Sequence, residues 1–274
     1  MTTRTPSHGR TRLPDHNVHG PAVDTTLFLL HGAYGSKEYW LPLIDDVTRA
    51  GYRVVAWDAP GYGISPLPSD PSIETYAQAA LDLIDAVGTG RNVVLGHSMG
   101  GLVAQRIQRL APHRTDGLIL SATVHTYNHS GPEWQEEFQR TRVAPLTQGR
   151  PISDYAPELL RSMMGPGAHG PAVDLVLQTV RRMNSEHFLA AMRAVAQYDD
   201  PDVLPGIVVP TLLLAGSLDT TCPPHVMSRM AAAIPDARYV ELPDCGHFGW
   251  AEAPASYARH VIDHLDRIVD PTRP

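Results

Sequence analysis

The chain is poor in cysteine, in basic residues and in long hydrophobic runs, and each shortage excludes a class of protein. Its 274 residues include two cysteines, Cys222 and Cys245, too few and too far apart for a disulfide scaffold, so we expect reduced thiols. With 22 Lys and Arg against 29 Asp and Glu, the formal net charge is -7. No basic stripe tracks a phosphate backbone, so nucleic acid is not an expected partner.

Apolar stretches are short throughout the chain. None approaches the roughly 18 apolar residues that a membrane-spanning helix needs. Residues 1–10 also lack the apolar core of a signal peptide. We therefore expect a soluble, cytoplasmic protein that has no membrane partner.

What the chain does contain is an alternation of short β-branched or apolar runs with helical stretches. The helical period is clear between Ile73 and Val87, and Gly88 ends it. This alternation predicts the α/β class, with a mostly parallel sheet flanked by helices on both faces. The polar first 25 residues allow one short edge strand as well. The predicted strands cover residues 26–30, 53–57, 92–95, 117–121, 211–215 and 238–242.

The alternation stops between residues 124 and 203, where apolar residues recur only at helical spacings. Gly-Pro breakers divide this segment into about four short helices. We interpret the segment as a helical cap inserted into an α/β core. The predicted domains are therefore 1–123 for the first part of the core, 124–203 for the cap and 204–274 for the second part of the core.

Residues 96–100 read Gly-His-Ser-Met-Gly and stand between a strand-like run and a helical run. This order is typical of a nucleophile elbow, a strained turn that lifts the serine, here Ser98, out of the end of a strand. A β-carbon two residues before or after Ser98 would meet the elbow's own backbone, which explains both glycines. An ordinary Gly/Ser turn is the alternative unless the chain supplies a base.

The chain supplies the two partners that a serine nucleophile needs. Asp219 follows the run 211–215 and His247 follows the run 238–242, so both stand at the carboxyl ends of predicted parallel strands. In this triad His247 accepts the proton of Ser98, and Asp219 orients the imidazole and stabilises the imidazolium.

Other carboxylates and histidines offer alternatives to this triad. Asp58 heads a Gly-rich turn and is expected to bond local backbone, whereas Asp244 is too near His247 in sequence to orient it. None of the 14 histidines shows HExxH spacing or a matching cysteine pair, so we expect no metal and no other cofactor.

The charge that develops during nucleophilic attack needs backbone donors. The N–H of Met99, at the start of a helix, is one donor, and we expect Ala33 in the loop 31–35 to supply the second. Substrate should lie beside these donors and under the cap, although His97 could instead pack beside the sheet and Trp134 in the cap's own core. The expected substrate-contacting residues are Gly32, Tyr34, His97, Trp134 and Phe248.

Five blocks resemble motifs of the α/β-hydrolase superfamily, in the right order along almost the whole chain. They are LLHGAYGS (29–36), DAPGYGIS (58–65), GHSMGG (96–101), GSLDTTCPP (216–224) and DCGHFGWAE (244–252). The resemblance implies an α/β-hydrolase fold with a small helical cap inserted after the sixth strand. Within the superfamily the chain is similar to carboxylesterases and to 3-oxoadipate enol-lactonase-like hydrolases.

Residues and resemblance together predict a cofactor-free serine hydrolase. We expect it to cleave a small carboxylic ester or lactone through an acyl-enzyme, as a monomer or homodimer. A carbon-carbon bond hydrolase of the ring-fission diketone type is an alternative, because DCGHFGWAE partly resembles those enzymes. Trp250, however, follows His247 by three residues rather than their usual four. A non-catalytic ligand-binding member of the fold is the second alternative.

Overall fold

A seven-stranded sheet lies at the centre of the computed structural model, which describes residues 12–127 and 131–272. The strand order is β1-β3-β2-β4-β5-β6-β7. Only β1, at one edge, runs antiparallel to its neighbour, so the predicted mostly parallel sheet is confirmed. The strands are β1 His16–His19, β2 Thr25–Leu30, β3 Arg53–Trp57, β4 Arg91–His97, β5 Gly117–Ser121, β6 Thr211–Gly216 and β7 Ala237–Leu242.

Helices cover both faces of this sheet. Every residue of the central strands β2, β5 and β6 is buried, which requires a helical layer on each side. The helices are α1 Leu41–Arg49, α2 Ile73–Val87, α3 Met99–Leu110, α4 Gly131–Phe138, α5 Ala144–Thr147, α6 Ile152–Ser162, α7 Pro171–Val180, α8 Ser185–Gln197, α9 Pro224–Ala233, α10 Gly249–Glu252 and α11 Pro254–Val269.

Helices α4 to α8 follow one another between β5 and β6, and a π-helical turn, Gln139–Val143, joins α4 to α5. An isolated antiparallel bridge between Thr126 and Asp199 brings the two ends of this helical segment together. We retain the limits 124 and 203 as a proposal for the cap. The predicted insertion after a sixth strand is wrong for the described residues. Among the described residues, five strands, β1 to β5, precede the helical segment, so the segment follows the fifth strand.

No helix among the described residues is both long enough and apolar enough to cross a membrane. The stretch 1–10, on which the signal-peptide expectation depended, lies outside the described residues. The cytoplasmic location stays a prediction.

Candidate active site

Ser98 occupies a strained turn between the end of β4 and the start of α3. Its φ of 51° and ψ of -116° lie outside the regions that a serine normally adopts. A β-carbon at Gly96 would collide with the carbonyl oxygen of Gly100, as the elbow requires. At Gly100 the collision would be with the Leu30 carbonyl of the neighbouring strand β2 rather than with the elbow itself. The turn is therefore in close contact with the neighbouring strand of the sheet.

Asp219 and His247 form a buried pair just beyond the ends of β6 and β7. Each residue is 2% exposed, and Nδ1 of His247 lies 2.8 Å from Oδ2 of Asp219. The other oxygen, Oδ1, accepts hydrogen bonds from the backbone N–H groups of Thr221 and Cys222, at 2.8 and 3.0 Å. These bonds fix the carboxylate, which in turn fixes the orientation of the imidazole.

The loop that carries His247 is tied to the helical segment above it. The His247 N–H donates to the Met163 carbonyl at 2.8 Å. The carboxylate of Glu252 accepts from Gly246 and Phe248 on either side of His247, at 2.8 and 2.9 Å, and from Gly165 at 2.7 Å. Glu252 therefore holds the histidine loop and the segment after α6 in one arrangement.

The loop after β2 approaches Ser98 from the opposite side. A β-carbon at Gly32 would lie 3.0 Å from Cβ of Ser98, so the two backbones are in close contact. The buried imidazole of His31 fixes the loop, because Nδ1 bonds the Gly32 carbonyl at 2.8 Å and Nε2 accepts from Ala59 at 3.0 Å.

Two backbone N–H groups, those of Ala33 and Met99, are the predicted oxyanion donors. The Ala33 carbonyl accepts from the hydroxyl of Tyr62 at 2.9 Å, and none of the described hydrogen bonds uses the Ala33 N–H. Met99 is the first residue of α3, where a helix has no acceptor of its own for the N–H. Their role as oxyanion donors stays a prediction, which this arrangement supports.

His97 lies directly behind the candidate base. It is 1% exposed, and its ring centroid is 4.7 Å from that of His247 and 4.4 Å from that of Trp250. Burial, together with the nearby His247, lowers the pKa of His97 well below its usual value. A neutral ring thus packs against His247. Because Ser98 is the next residue, serine and imidazole stand at the same edge of the sheet.

The other predicted contact residues take different places. Tyr34 belongs to the loop after β2 and is 6% exposed. Its ring packs on that of Phe188 in α8, with 4.8 Å between the ring centroids. Phe248 is buried beside His247, at 5.2 Å between ring centroids. Trp134 packs within the helical segment on Phe138, at 5.3 Å. Substrate contact at these positions stays a prediction.

The two competing carboxylates are directed elsewhere. Asp58 bonds the side chain and backbone N–H of Lys37, at 3.0 and 2.8 Å. Asp244 is exposed, whereas His247 is buried, and the backbone N–H of Asp244 donates to the hydroxyl of Ser217 at 2.9 Å. Asp219 is therefore the carboxylate that meets His247.

Two residues of this region were missed by the sequence reasoning, Glu252 and Arg142. Arg142 lies in the π-helical turn and is buried, with its guanidinium 3.3 Å from Oγ1 of Thr221. One signal was available, since Arg142 follows the buried Phe138 by four residues and so shares its helical face. Glu252 carries no comparable signal, because its partners are backbone groups.

One group of residues has the composition of a metal site. Ligand atoms of Asp219, Cys222 and His247 lie within 4.8 Å of one another. Burial, and then the charge of Asp219, raise the pKa of the Cys222 thiol well above its usual value, which opposes the thiolate that a metal requires. Nδ1 of His247 is already bonded to Asp219. The donor set fits an aspartate–histidine pair better than a metal centre.

The fold and the site together define the class of protein. A model of the alpha/beta hydrolase family matches residues 27–260 of the chain. The chain belongs to this family, and it is an enzyme of the hydrolase type.

Individual relatives differ in the reactions that their names state. A Variovorax paradoxus protein that carries the name carbamate hydrolase RutD is 27% identical over 276 residues, which cover 94% of this chain and 98% of the relative. A Pseudomonas sp. 2-hydroxy-6-oxononadienedioate/2-hydroxy-6-oxononatrienedioate hydrolase is 26% identical over 89% of each chain. The solved structure of a thermophilic esterase from Thermogutta terrifontis matches with a TM-score of 0.81 and 27% identity over 93% of each chain.

Proposed function

We propose that the enzyme is a serine hydrolase that cleaves a small carboxylic ester or lactone through an acyl-enzyme. The observation that carries the proposal is the buried 2.8 Å pair of Asp219 and His247 at the sheet edge where Ser98 stands in its strained turn. A serine hydroxyl becomes a useful nucleophile when an oriented base can take its proton.

The reaction proceeds in two steps, acylation of Ser98 and hydrolysis of the acyl-enzyme. Oγ of Ser98 attacks the carbonyl carbon while Nε2 of His247 takes the serine proton, and the N–H groups of Ala33 and Met99 bind the oxyanion. The C–O bond to the alkoxide breaks, and His247 returns the proton to that oxygen. Water then attacks the acyl-enzyme, His247 accepts its proton, and the acid leaves as Ser98 regains its hydrogen.

The Thermogutta terrifontis esterase supports the ester as substrate class, at 27% identity over nearly the whole chain. The relative named carbamate hydrolase extends the choice to a carbonyl flanked by nitrogen, which the same addition and elimination would cleave. A panel of esters, lactones and carbamates is therefore the first assay to run.

The covalent step is tested by comparing the wild type with Ser98→Ala. Rapid quenching with an aryl ester should add the mass of one acyl group to the peptide that contains Ser98. We expect kcat to fall by at least about 10⁴-fold in Ser98→Ala, because the remaining groups cannot replace the nucleophile. The matched control is Ser153→Ala, on the exposed surface of α6, which should keep full activity. Turnover in Ser98→Ala close to that of the wild type would reject the proposal.

A carbon-carbon bond hydrolase is the second candidate, favoured by the Pseudomonas ring-fission relative and by the aromatic Phe248 directly beside His247. A ring-fission diketone assayed beside the aryl ester separates the two reactions. Turnover of the diketone alone would replace the ester proposal. The oligomeric state, monomer or homodimer, stays a prediction.

A further inference from the structure

Arg142 is a buried cation that lacks an acidic partner. It lies in the π-helical turn Gln139–Val143 and is 8% exposed. Its guanidinium donates to Oγ1 of Thr141 at 2.9 Å and to Oγ1 of Thr221 at 3.3 Å, and it touches Sδ of Met163 at 4.0 Å. No ion pair within residues 12–127 and 131–272 includes it. A buried charge without a counterion is costly, so this arrangement calls for an explanation.

The neighbours of this guanidinium place it at the active site. Thr221 stands two residues after Asp219, on the acid loop. Met163 is the residue whose carbonyl accepts the N–H of His247. The charge of Arg142 also acts on Tyr34, next to the candidate oxyanion donor Ala33. Arg142 therefore contacts the loop after Asp219 and the residue that accepts the N–H of His247, and its charge acts on the loop that carries Ala33.

The nearest carboxylate of the site is not available to Arg142. Asp219 uses Oδ2 for His247 and Oδ1 for the N–H groups of Thr221 and Cys222. Two neutral threonine oxygens and a thioether engage three of the guanidinium N–H donors, so two of the five that an arginine carries lack an acceptor among the described residues. An acceptor from outside the chain would complete the arrangement.

The hydroxyl of Tyr34 is a second buried donor of this region. It has no hydrogen-bond partner among the described residues. Burial raises the pKa of this hydroxyl above its usual value, so the group keeps its proton. Tyr34 thus offers an O–H donor without a partner, in a side chain on which the charge of Arg142 acts.

We propose that Arg142, together with the Tyr34 hydroxyl, binds a carboxylate on the substrate. The ester or lactone that this enzyme cleaves then carries a free carboxylate remote from the reacting carbonyl. This inference rests on the proposed function and adds the charge of the substrate to it. A planar guanidinium matches a carboxylate with two parallel hydrogen bonds.

The charge balance favours a carboxylate over a phosphate. One guanidinium neutralises one negative charge, and the groups that it contacts directly are uncharged: two threonine hydroxyls, the thioether of Met163 and the ring of Phe138, whose centroid is 5.2 Å from Cζ. A phosphate dianion would bring a second charge into the same buried space without a second cation. The substrate group is therefore a monoanion.

The test uses pairs of substrates that differ only in charge. One pair places the carboxylate on the acyl side, as the mono-4-nitrophenyl ester of adipic acid against its methyl ester. The other places it on the leaving group, as 3-acetoxybenzoate against methyl 3-acetoxybenzoate. We expect kcat/KM of the wild type to be about 10- to 100-fold higher for the anion in at least one pair, as for hydrogen bonds to charged groups.

Replacement of the guanidinium should remove this preference. In Arg142→Met we expect kcat/KM for the preferred anion to fall by about the same factor, mainly through KM, so that the ratio of kcat/KM for the anion to that for the neutral ester approaches one. Arg142→Lys should restore part of the preference. The control is Arg140→Met, two residues before Arg142 in the chain. The guanidinium of Arg140 is exposed and pairs with Glu137, so this variant should keep the full preference.

Inhibition of the wild type gives a measurement that needs no variant. Adipate should inhibit hydrolysis of a neutral aryl ester at least about tenfold more strongly than adipamide. Three outcomes would overturn the inference. Adipate and adipamide could inhibit equally, neither substrate pair could show a higher kcat/KM for the anion, or Arg142→Met could lower kcat/KM equally for anionic and neutral esters. The last outcome would mean that Arg142 supports the triad rather than the substrate.

The failure of this inference is distinguishable from failure of the proposed function. If neutral aryl esters acylate Ser98 and neither pair shows a preference for the anion, only the carboxylate site is wrong. If no ester acylates Ser98, the serine hydrolase proposal is wrong. Binding of adipate to Ser98→Ala and to Ser98→Ala with Arg142→Met, measured by calorimetry, still tests the carboxylate site in that case.

Discussion

At the scale of single residues, Glu252 shows how one carboxylate can hold a catalytic loop. Its two oxygens accept three backbone N–H groups, two from the loop around His247 and one from the segment after α6. Hydrogen bonds to a charged acceptor are stronger than those between neutral groups. The position of His247, the proposed base, therefore depends on a residue whose carboxylate bonds three backbone N–H groups.

Glu252→Gln should weaken both the fold and the reaction. The amide NH₂ must face one of three N–H donors, so we expect the free energy of unfolding to fall by about 2 kcal/mol. A displaced imidazole should lower kcat by about tenfold or more with little change in KM. Denaturant unfolding and steady-state kinetics on an aryl ester measure the two effects. Glu158→Gln, exposed on α6, is the control, and an unchanged kcat in Glu252→Gln would contradict the positioning role.

At the scale of elements, α2 shows where local sequence decides a boundary. Ser72 and Thr75 form a capping box, in which each side chain bonds the backbone N–H of the other residue. The helix ends at Val87 before Gly88, as the sequence predicts. Its buried face packs on α3, the helix that begins just after Ser98.

Ser72→Ala removes the first half of this capping box. We expect the free energy of unfolding to fall by about 1 kcal/mol, the usual cost of losing a helix cap. Because Ser72 caps the end of a helix and is none of the predicted triad residues, kcat should stay within about twofold of the wild type. Differential scanning calorimetry and an activity assay provide both numbers. Ser69→Ala, in the exposed loop before α2, should change neither, and an equal loss of stability there would contradict the capping explanation.

At the scale of the whole molecule, buried histidines couple stability to pH. His264 lies on the inner face of α11 and is fully buried. Burial, together with the nearby Arg267, lowers the pKa of His264 to about 4. In the unfolded chain the imidazole titrates near 6.5, so between these values the unfolded chain binds a proton that the folded protein does not.

The contribution of His264 is therefore full above pH 6.5 and is lost as the pH falls towards 4. The loss is about 1.4 kcal/mol per pH unit and about 3 kcal/mol over the whole interval. We expect His264→Leu to lose less stability than the wild type between pH 7 and pH 4, by about this amount. Denaturant unfolding at several pH values measures the difference. His225→Leu, on the exposed side of α9, should follow the wild-type curve, and equal slopes in wild type and His264→Leu would contradict the assignment.

Much of the whole architecture follows from the sequence because strands and elbows carry strong local signals. The six predicted parallel strands and the turn at Ser98 depend on runs of apolar residues and on glycines with steric reasons. Arg142 was missed because periodicity treats a charged residue as a surface position, and its four-residue spacing from Phe138 indicates burial only once Phe138 itself is known to be buried. The strand count before the cap failed for another reason, since it came from resemblance rather than from residues.

The bond between the N–H of His247 and the carbonyl of Met163 makes access and catalysis mutually dependent. If α6 lifts from the core to admit a molecule, the peptide that carries the base is pulled with it. A lifted α6 would therefore coincide with a His247 that is out of position to accept a proton. If substrate and product pass by any other side, His247 keeps its orientation. The route of entry would then affect the rate of turnover.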